Sequence, residues 1–87
     1  MLLDKAGRIV LLYDIYGNLL TPKQRDVIRL YYEEDLSLGE IAEELKISRQ
    51  AVYDILKRSE QALERYEEKL GLLERNSLKE TLETDSE

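Results

Sequence analysis

The sequence predicts an all-α protein, a helix-turn-helix bundle that ends in a long helix. Apolar residues recur at three- and four-residue spacing through most of the chain, which is the period of amphipathic helices. Residues that cap helix N-termini precede several of these segments. The 87 residues include only one Pro and four Gly, so few positions favour loops. We predict one folded domain at residues 1–75 and an acidic, flexible tail at 76–87.

A first helix is predicted from about Lys5 to Leu19, and Gly17-Asn18 is a plausible stop signal near its end. Thr21-Pro22 then starts a second helix that reaches about Glu34, because Thr caps a helix and Pro at its first position loses no needed hydrogen bond. The expected buried residues of these two helices are Ile9, Leu12, Tyr13, Tyr16, Leu20, Val27, Ile28, Leu30 and Tyr31.

Residues 38–57 carry the pattern of a helix-turn-helix. Ser37 and Glu40 form a capping box that opens a third helix ending near Leu45, and Ser48 caps a fourth helix that begins at Arg49. Lys46 lies at the turn position that commonly adopts a positive φ. Apolar and small side chains stand where the two helices should touch, namely Ile41, Ala42, Leu45, Ile47, Val52 and Ile55.

The fourth helix is predicted to be long, because an apolar stripe with alternating four- and three-residue steps continues over about three heptads. The stripe comprises Val52, Leu56, Ser59, Leu63, Tyr66, Leu70 and Leu73, and glutamates such as Glu60 and Glu67 are assigned to the other faces. Either the first helix or a second copy of the chain covers this stripe. The candidate residues for that inter-helix or dimer interface are Tyr13, Tyr16, Leu63, Tyr66, Leu70 and Leu73.

Composition argues against an enzyme. The chain has no Cys and no His, so it lacks the commonest general base, the cysteine nucleophile and the commonest metal ligand. It also has no glycine-rich phosphate loop, and Glu33-Glu34-Asp35 lacks the spacing of a calcium loop. We therefore predict no cofactor, no metal site and no small-molecule substrate. The apolar run at residues 9–12 is too short for a signal peptide or a membrane span, which favours a cytoplasmic protein.

The fourth helix offers the best candidates for contact with nucleic acid. Arg49 and Gln50 stand at its N-terminal end, where they would reach base edges if the helix entered a major groove. Ser48 could meet a phosphate, and Tyr53 could stack on an unpaired base. Basic residues that suit phosphate contacts are Lys23, Arg25, Arg29, Lys57 and Arg58. Each of these side chains also fits an ordinary solvated or inter-helix position.

The charge of the chain weakens a simple DNA-binding interpretation. The net charge is −6, and residues 59–87 contribute −5 of it, with nine acids against four bases. Residues 22–58 are nearly neutral, whereas a dedicated nucleic-acid binder usually has a basic field. Asp54 also lies on the expected reading face, where it would repel phosphates unless it accepts from a cytosine amino group.

The run LTPKQRDVIRLYYEEDLSLGEIAEELKISRQAVYDILKR resembles the fourth conserved region of bacterial sigma factors, a DNA-binding helix-turn-helix. It is still more similar to the YlxM family of small stand-alone proteins with that sigma-like fold. The segments that carry this resemblance are 20–25, 37–43, 48–54 and 66–70, and the similarity covers about residues 5–75. The resemblance implies a regulatory or accessory role in the signal recognition particle pathway. The partners that it implies are DNA, the RNA of the particle, or the GTPase of the particle.

Three functions remain open at this point. The first is a helix-turn-helix regulatory or accessory protein of the signal recognition particle pathway. The second is a sequence-specific transcriptional regulator unrelated to that pathway. The third is a protein-binding adaptor that makes no contact with nucleic acid, which the acidic charge and Asp54 favour.

Overall fold

Residues 4–75 are described by a computed structural model, and helices account for most of them. The order is α1 (Lys5–Tyr16), a 3₁₀ turn (Gly17–Leu19), α2 (Pro22–Ile28), a π turn (Arg29–Glu33), α3 (Leu38–Leu45) and α4 (Arg49–Leu70). Residues 72–75 form a further helical turn after Gly71, and the part of the chain described contains no strand. The all-α fold class is confirmed, whereas the predicted tail at 76–87 lies outside the described residues.

The first helix is shorter than predicted, because α1 ends at Tyr16 and the chain tightens into the 3₁₀ turn. Asp4 caps its N-terminus by accepting a hydrogen bond from the Gly7 amide at 2.7 Å. Gly17 has a right-handed φ of −54°, so it does not end the helix as a left-handed cap. It makes room instead, since a Cβ at this position would lie 3.2 Å from two carbons of the Tyr13 ring.

The second helix begins as predicted but does not continue as a regular α-helix to Glu34. Thr21 and Gln24 form a reciprocal capping box at its start. From Arg29 the backbone widens into the π turn, which closes with the Glu34 amide bonded to the Arg29 carbonyl at 3.1 Å. A π turn holds more residues per turn and so narrows the angle between successive side chains. Three successive side chains thereby pack on the core, namely Leu30, Tyr31 and Tyr32.

Helix α4 is the centre of the bundle, because α1, α2 and α3 all pack against it. Val52, Leu56 and Leu63 of α4 are buried against apolar side chains from every other helix. Those partners are Ile9, Leu12, Tyr16, Leu20, Val27, Ile28, Leu30 and Ile41. No helix among residues 4–75 is long and apolar enough to cross a membrane.

The predicted α4 stripe is wrong at Leu70 and in the length of the helix, whereas Leu63, Tyr66 and Leu73 pack in or against the core. The helix stops at Leu70, where Gly71 adopts a left-handed φ of 61°, and the Leu70 side chain is 48% exposed. Glu60 and Glu67, which the sequence assigned to outer faces, are instead 7% and 9% exposed. A straight α-helix has 3.6 residues per turn, so a stripe drawn at 3.5 drifts by ~20° per heptad away from the buried face.

Candidate nucleic-acid interface

The turn between α3 and α4 fixes the direction in which α4 leaves the core. Lys46 ends α3 in the left-handed region at φ 59° and ψ 43°, as the sequence predicts. The Ile47 amide then bonds to the Ala42 carbonyl at 3.1 Å. Ser48 Oγ accepts from the Ala51 amide at 3.0 Å and caps α4. Both helices are therefore anchored on either side of a three-residue link at 46–48, which is the geometry of a helix-turn-helix.

Burial of one face of α4 leaves its opposite face open at the N-terminal end. Val52 is fully buried there, while the side chains that point outward are exposed. We call this set, Arg49, Gln50, Tyr53 and Asp54, the N-terminal surface of α4. The structure thus brings together three of the candidate base contacts and the acid that weakened the nucleic-acid interpretation.

A cleft of about 520 Å³ adjoins this surface. Its lining includes Leu38 from the first turn of α3 together with Arg49, Gln50 and Tyr53 from α4. Leu38 was absent from the residues selected from the sequence. The sequence shows that Leu38 lies within the Ser37–Glu40 capping box. It does not show how close Leu38 lies to α4, because that distance depends on the angle between the two helices.

The Asp54 carboxylate accepts a hydrogen bond from a residue on its own helix. The Gln50 Nε2 donates a hydrogen bond to the Asp54 Oδ1 at 3.1 Å, one turn along α4. Such i,i+4 amide–carboxylate pairs stabilise a helix modestly. The bond orients the Gln50 side chain and uses part of the hydrogen-bonding capacity of the Asp54 carboxylate.

The Lys57 ammonium already has neighbours within the chain, which weakens its assignment as a phosphate contact. Its Nζ lies 5.6 Å from the centroid of the Tyr53 ring and 3.7 Å from the Glu60 Oε1. Glu60 also forms an ion pair with the Lys5 Nζ, at 3.2 Å. Its carboxylate accepts a hydrogen bond from the Tyr32 hydroxyl. Burial, together with that bond to Glu60, raises the pKa of Tyr32, so its hydroxyl remains a donor.

The remaining basic candidates are dispersed. Arg58 is exposed on α4, Lys23 is exposed on α2 and Arg25 is half-buried there. Within residues 4–75, no hydrogen bond or ion pair joins any of them to the N-terminal surface of α4. Arg29 is paired with Glu34 and lies 3.8 Å from an Asp26 oxygen. Arg49, Gln50 and Tyr53 therefore line one cleft, and the α2 residues are not part of its lining.

The candidate inter-helix residues lie mostly within the chain's own core. Tyr16 and Leu63 are fully buried, and Tyr13, Tyr66 and Leu73 pack partly against them. The Tyr66 hydroxyl donates to the Leu19 carbonyl at 3.3 Å, and its ring centroid is 6.0 Å from that of Tyr16. Helices of the same chain therefore cover the α4 stripe except at Leu70, and a homodimer stays a prediction.

Glu67 joins α4 to α1 and to the turn that follows it. Its carboxylate accepts from the Tyr16 hydroxyl at 2.7 Å and from the Leu73 and Glu74 amides, both at 3.0 Å. Burial alone would raise the pKa of this carboxyl, but the three hydrogen bonds favour the charged form and the pKa is lowered. A buried carboxylate with this many donors has a structural role, which the sequence-based stripe missed.

Carboxylates elsewhere do not assemble a metal site in the described chain. Across residues 4–75, no group of three acidic, His or Cys side chains is placed to hold an ion. The Glu33-Glu34-Asp35 cluster is exposed at the end of the π turn, and Asp35 has a left-handed φ of 57°.

Comparison with known proteins agrees with the helix-turn-helix geometry. The UPF0122 family of YlxM/p13-like helix-turn-helix proteins matches residues 3–86. A UPF0122 protein of Listeria monocytogenes serovar 1/2a is 52% identical over 84 residues, which cover 97% of this chain and 76% of the relative. UPF0122 proteins of Exiguobacterium sibiricum and Geobacillus kaustophilus are each 61% identical over 72 residues. Those residues cover 83% of this chain and 68% and 66% of the two relatives, respectively. The chain therefore belongs to the UPF0122 family of YlxM/p13-like helix-turn-helix proteins.

Proposed function

We propose that the protein is a regulatory or accessory factor that binds nucleic acid through the N-terminal surface of α4. The observation that carries this proposal is the exposure of Arg49, Gln50 and Tyr53 side by side, directly after a packed and capped turn. A rigid turn presents these side chains in a fixed direction, as recognition helices require.

The polar groups on this surface suit nucleobase edges. Guanidinium groups pair with guanine, and the amide of Gln pairs with adenine. The Gln50 amide has two N–H groups, and its bond to Asp54 uses one of them. The second N–H and the amide oxygen remain available for a donor–acceptor pair on a base. Asp54 thus orients Gln50, while its charge still disfavours phosphates close to this part of the surface.

The electrostatic contribution is small. Residues 22–58 carry a net charge of −1, and Lys57 is partly neutralised by Glu60. Few released counterions are expected, so affinity should fall only moderately with added salt. Recognition then depends more on base contacts and less on phosphate contacts than in a strongly basic protein.

Selection from randomised DNA and RNA pools, followed by affinity measurements on the enriched sequences, tests the proposal. Arg49→Ala combined with Gln50→Ala should weaken binding at least about tenfold, since each bidentate base contact contributes ~1–3 kcal/mol. The matched control replaces Arg65 and Gln61, which are exposed further along the same helix, by Ala. Equal affinities of the two double variants would contradict the proposal.

We further propose that the pathway served is that of the signal recognition particle, which is supported by the resemblance to the YlxM family. Affinity capture from a bacterial lysate should recover the particle's RNA or its GTPase with the unaltered protein. Loss of both from the Arg49/Gln50 double variant would connect the pathway to α4. Recovery of neither with the unaltered protein would contradict this assignment.

A protein-binding adaptor is the second candidate, and the charge of −5 over residues 59–87 favours it. An acidic region suits a basic protein partner better than a phosphate backbone. Under this alternative, capture of the GTPase would survive nuclease treatment and the Arg49/Gln50 replacements, and neither randomised pool would be enriched.

A further inference from the structure

We infer that the cleft beside Tyr53 holds a single unpaired nucleobase, stacked on the tyrosine ring. The inference rests on the proposed function and narrows its ligand to single-stranded or looped nucleic acid. A continuous duplex read in the major groove is the alternative outcome of the test.

Tyr53 is set apart from the other tyrosines of the chain. All six lie in the described region, and Tyr53 is the most exposed of them, at 43%, whereas Tyr16 is buried and the other four are partly buried. The partly buried and buried rings pack against the apolar core. The Tyr53 ring stands instead on the surface that carries Arg49 and Gln50, where its aromatic face is available to a ligand.

The surroundings of the ring suit stacking. The Lys57 Nζ lies over the Tyr53 ring at 5.6 Å from its centroid, and the same ammonium is 3.7 Å from the Glu60 Oε1. The cleft of about 520 Å³ adjoins the ring and is lined by Leu38, Arg49 and Gln50. The ring and Leu38 supply apolar surface for the flat faces of a base.

The polar rim of the cleft suits the edge of the same base. The Arg49 guanidinium is a donor only, while the Gln50 amide offers an oxygen and the N–H that Asp54 does not use. In a duplex the Watson–Crick edge is already paired and the base faces are already stacked. An unpaired base gains both the aromatic stack and the edge hydrogen bonds, and single-stranded ligands are recognised in this way.

The low positive charge of the surface agrees with this ligand. Duplex readers rely on many phosphate contacts, whereas residues 22–58 are close to neutral. Stacking adds affinity that does not come from phosphate contacts, because every base has an aromatic face. One exposed tyrosine between Lys57 and a polar cleft is therefore a better match to an unpaired base than to a phosphate backbone.

Fluorescence of 2-aminopurine, which stacking on an aromatic ring quenches, tests the inference. The probes are a hairpin with 2-aminopurine in its loop, made as RNA and as DNA, and a fully paired duplex with 2-aminopurine in its stem. The unaltered protein should bind the looped probes more tightly than the duplex and should quench their fluorescence. Comparison of the RNA hairpin with the DNA hairpin shows which nucleic acid supplies the base.

Variants at Tyr53 separate stacking from folding. Tyr53→Phe keeps the ring and should bind within about twofold, while Tyr53→Leu keeps apolar bulk and should lose about tenfold in affinity together with the quenching. Circular dichroism of both variants checks the fold, and exposure of the position makes unfolding unexpected.

Two outcomes would overturn the inference in distinguishable ways. Tighter binding of the paired duplex, with Tyr53→Leu equal to the unaltered protein, would exclude the base cleft and leave the proposed function intact. Failure of every probe and of both selected pools to bind would remove the proposed function as well.

Discussion

The two halves of α4 use their polar side chains in opposite ways. In the N-terminal half the outward side chains are exposed, and the Gln50–Asp54 bond is local to the helix. In the C-terminal half Glu60 and Glu67 are buried and bind residues of α1, the π turn and the segment after Gly71. One continuous helix thus carries an open surface at one end and an internal network at the other.

This difference separates binding from stability along a single element. Side chains of the N-terminal surface touch little of the fold, so their replacement should alter ligand binding with little effect on folding. The buried carboxylates join elements distant in sequence, since Glu67 and Tyr16 are 51 residues apart. Their loss should lower the free energy of unfolding without involving any ligand contact directly.

The largest effect is expected from Glu67→Ala. The change leaves the Tyr16 hydroxyl and the amides of Leu73 and Glu74 without their acceptor. An unsatisfied buried donor costs about 1–3 kcal/mol, so we expect the free energy of unfolding to fall by about 3 kcal/mol or more. Urea unfolding followed by circular dichroism measures this loss.

Glu68→Ala is the matched control, because Glu68 is the next residue on α4 and is exposed. It should change the free energy of unfolding by less than about 0.5 kcal/mol. A similar loss in both variants would mean that helix propensity, and not the buried network, sets the stability of the C-terminal half.

A second effect depends on pH. The folded pKa of Glu67 is lowered from its ordinary value of 4.5, so the charged form stabilises the fold above that pH. This contribution is lost as the pH falls through the lowered pKa. The difference in unfolding free energy between the unaltered protein and Glu67→Gln should therefore be constant near neutrality and shrink in acid. Urea titrations between about pH 7 and pH 3 measure it, and a difference independent of pH would contradict the charged network.

The sequence predicted the N-terminal half of α4 well because its signals are local. Ser48 caps the helix through an amide three residues away, and the left-handed turn at Lys46 follows from the short link between two capped helices. Arg49, Gln50 and Tyr53 are exposed because Val52 is buried, and helical geometry relates all four positions directly. Leu38 was not predicted, because its position beside the cleft depends on the angle at which α3 crosses α4.

The C-terminal half was predicted only in part, because hydrophobicity was the only guide to its buried face: Leu63 and Tyr66 pack as expected, but Leu70 does not. Leu56, Glu60, Leu63 and Glu67 follow the 3.6-residue period, and the two glutamates were excluded from the stripe because they are charged. Burial of a glutamate depends on donors supplied by distant residues. The Tyr16 hydroxyl and the Leu73 amide contact Glu67 only in the folded chain. No local sequence pattern therefore predicts these two hydrogen bonds.

A third, smaller effect concerns the start of the same helix. Ser48→Ala removes the acceptor for the Ala51 amide and should lower the free energy of unfolding by about 1 kcal/mol. Ser48→Gly is the control, since Gly at this position costs only a few tenths of a kcal/mol relative to a good cap. Thermal unfolding of both variants measures the difference. If Ser48→Ala exceeded the loss caused by Glu67→Ala, the contrast between the two halves of α4 would be reversed.

The smallest effect is expected where the C-terminal half is itself exposed. Arg8 Nε and Nη2 donate to the two Glu64 oxygens at 2.8 Å each, yet both side chains are 44% exposed. The Arg8 guanidinium lowers the pKa of Glu64, but solvent screens most of that attraction. A double-mutant cycle with Arg8→Gln and Glu64→Gln should give a coupling of at most about 0.5–1 kcal/mol, declining in molar salt. Glu67 lies one turn further along α4, where it is buried and accepts from a hydroxyl and two amides instead of a guanidinium. A coupling that survived high salt and equalled the loss at Glu67 would show that the exposed ion pair, and not burial, holds α1 against α4.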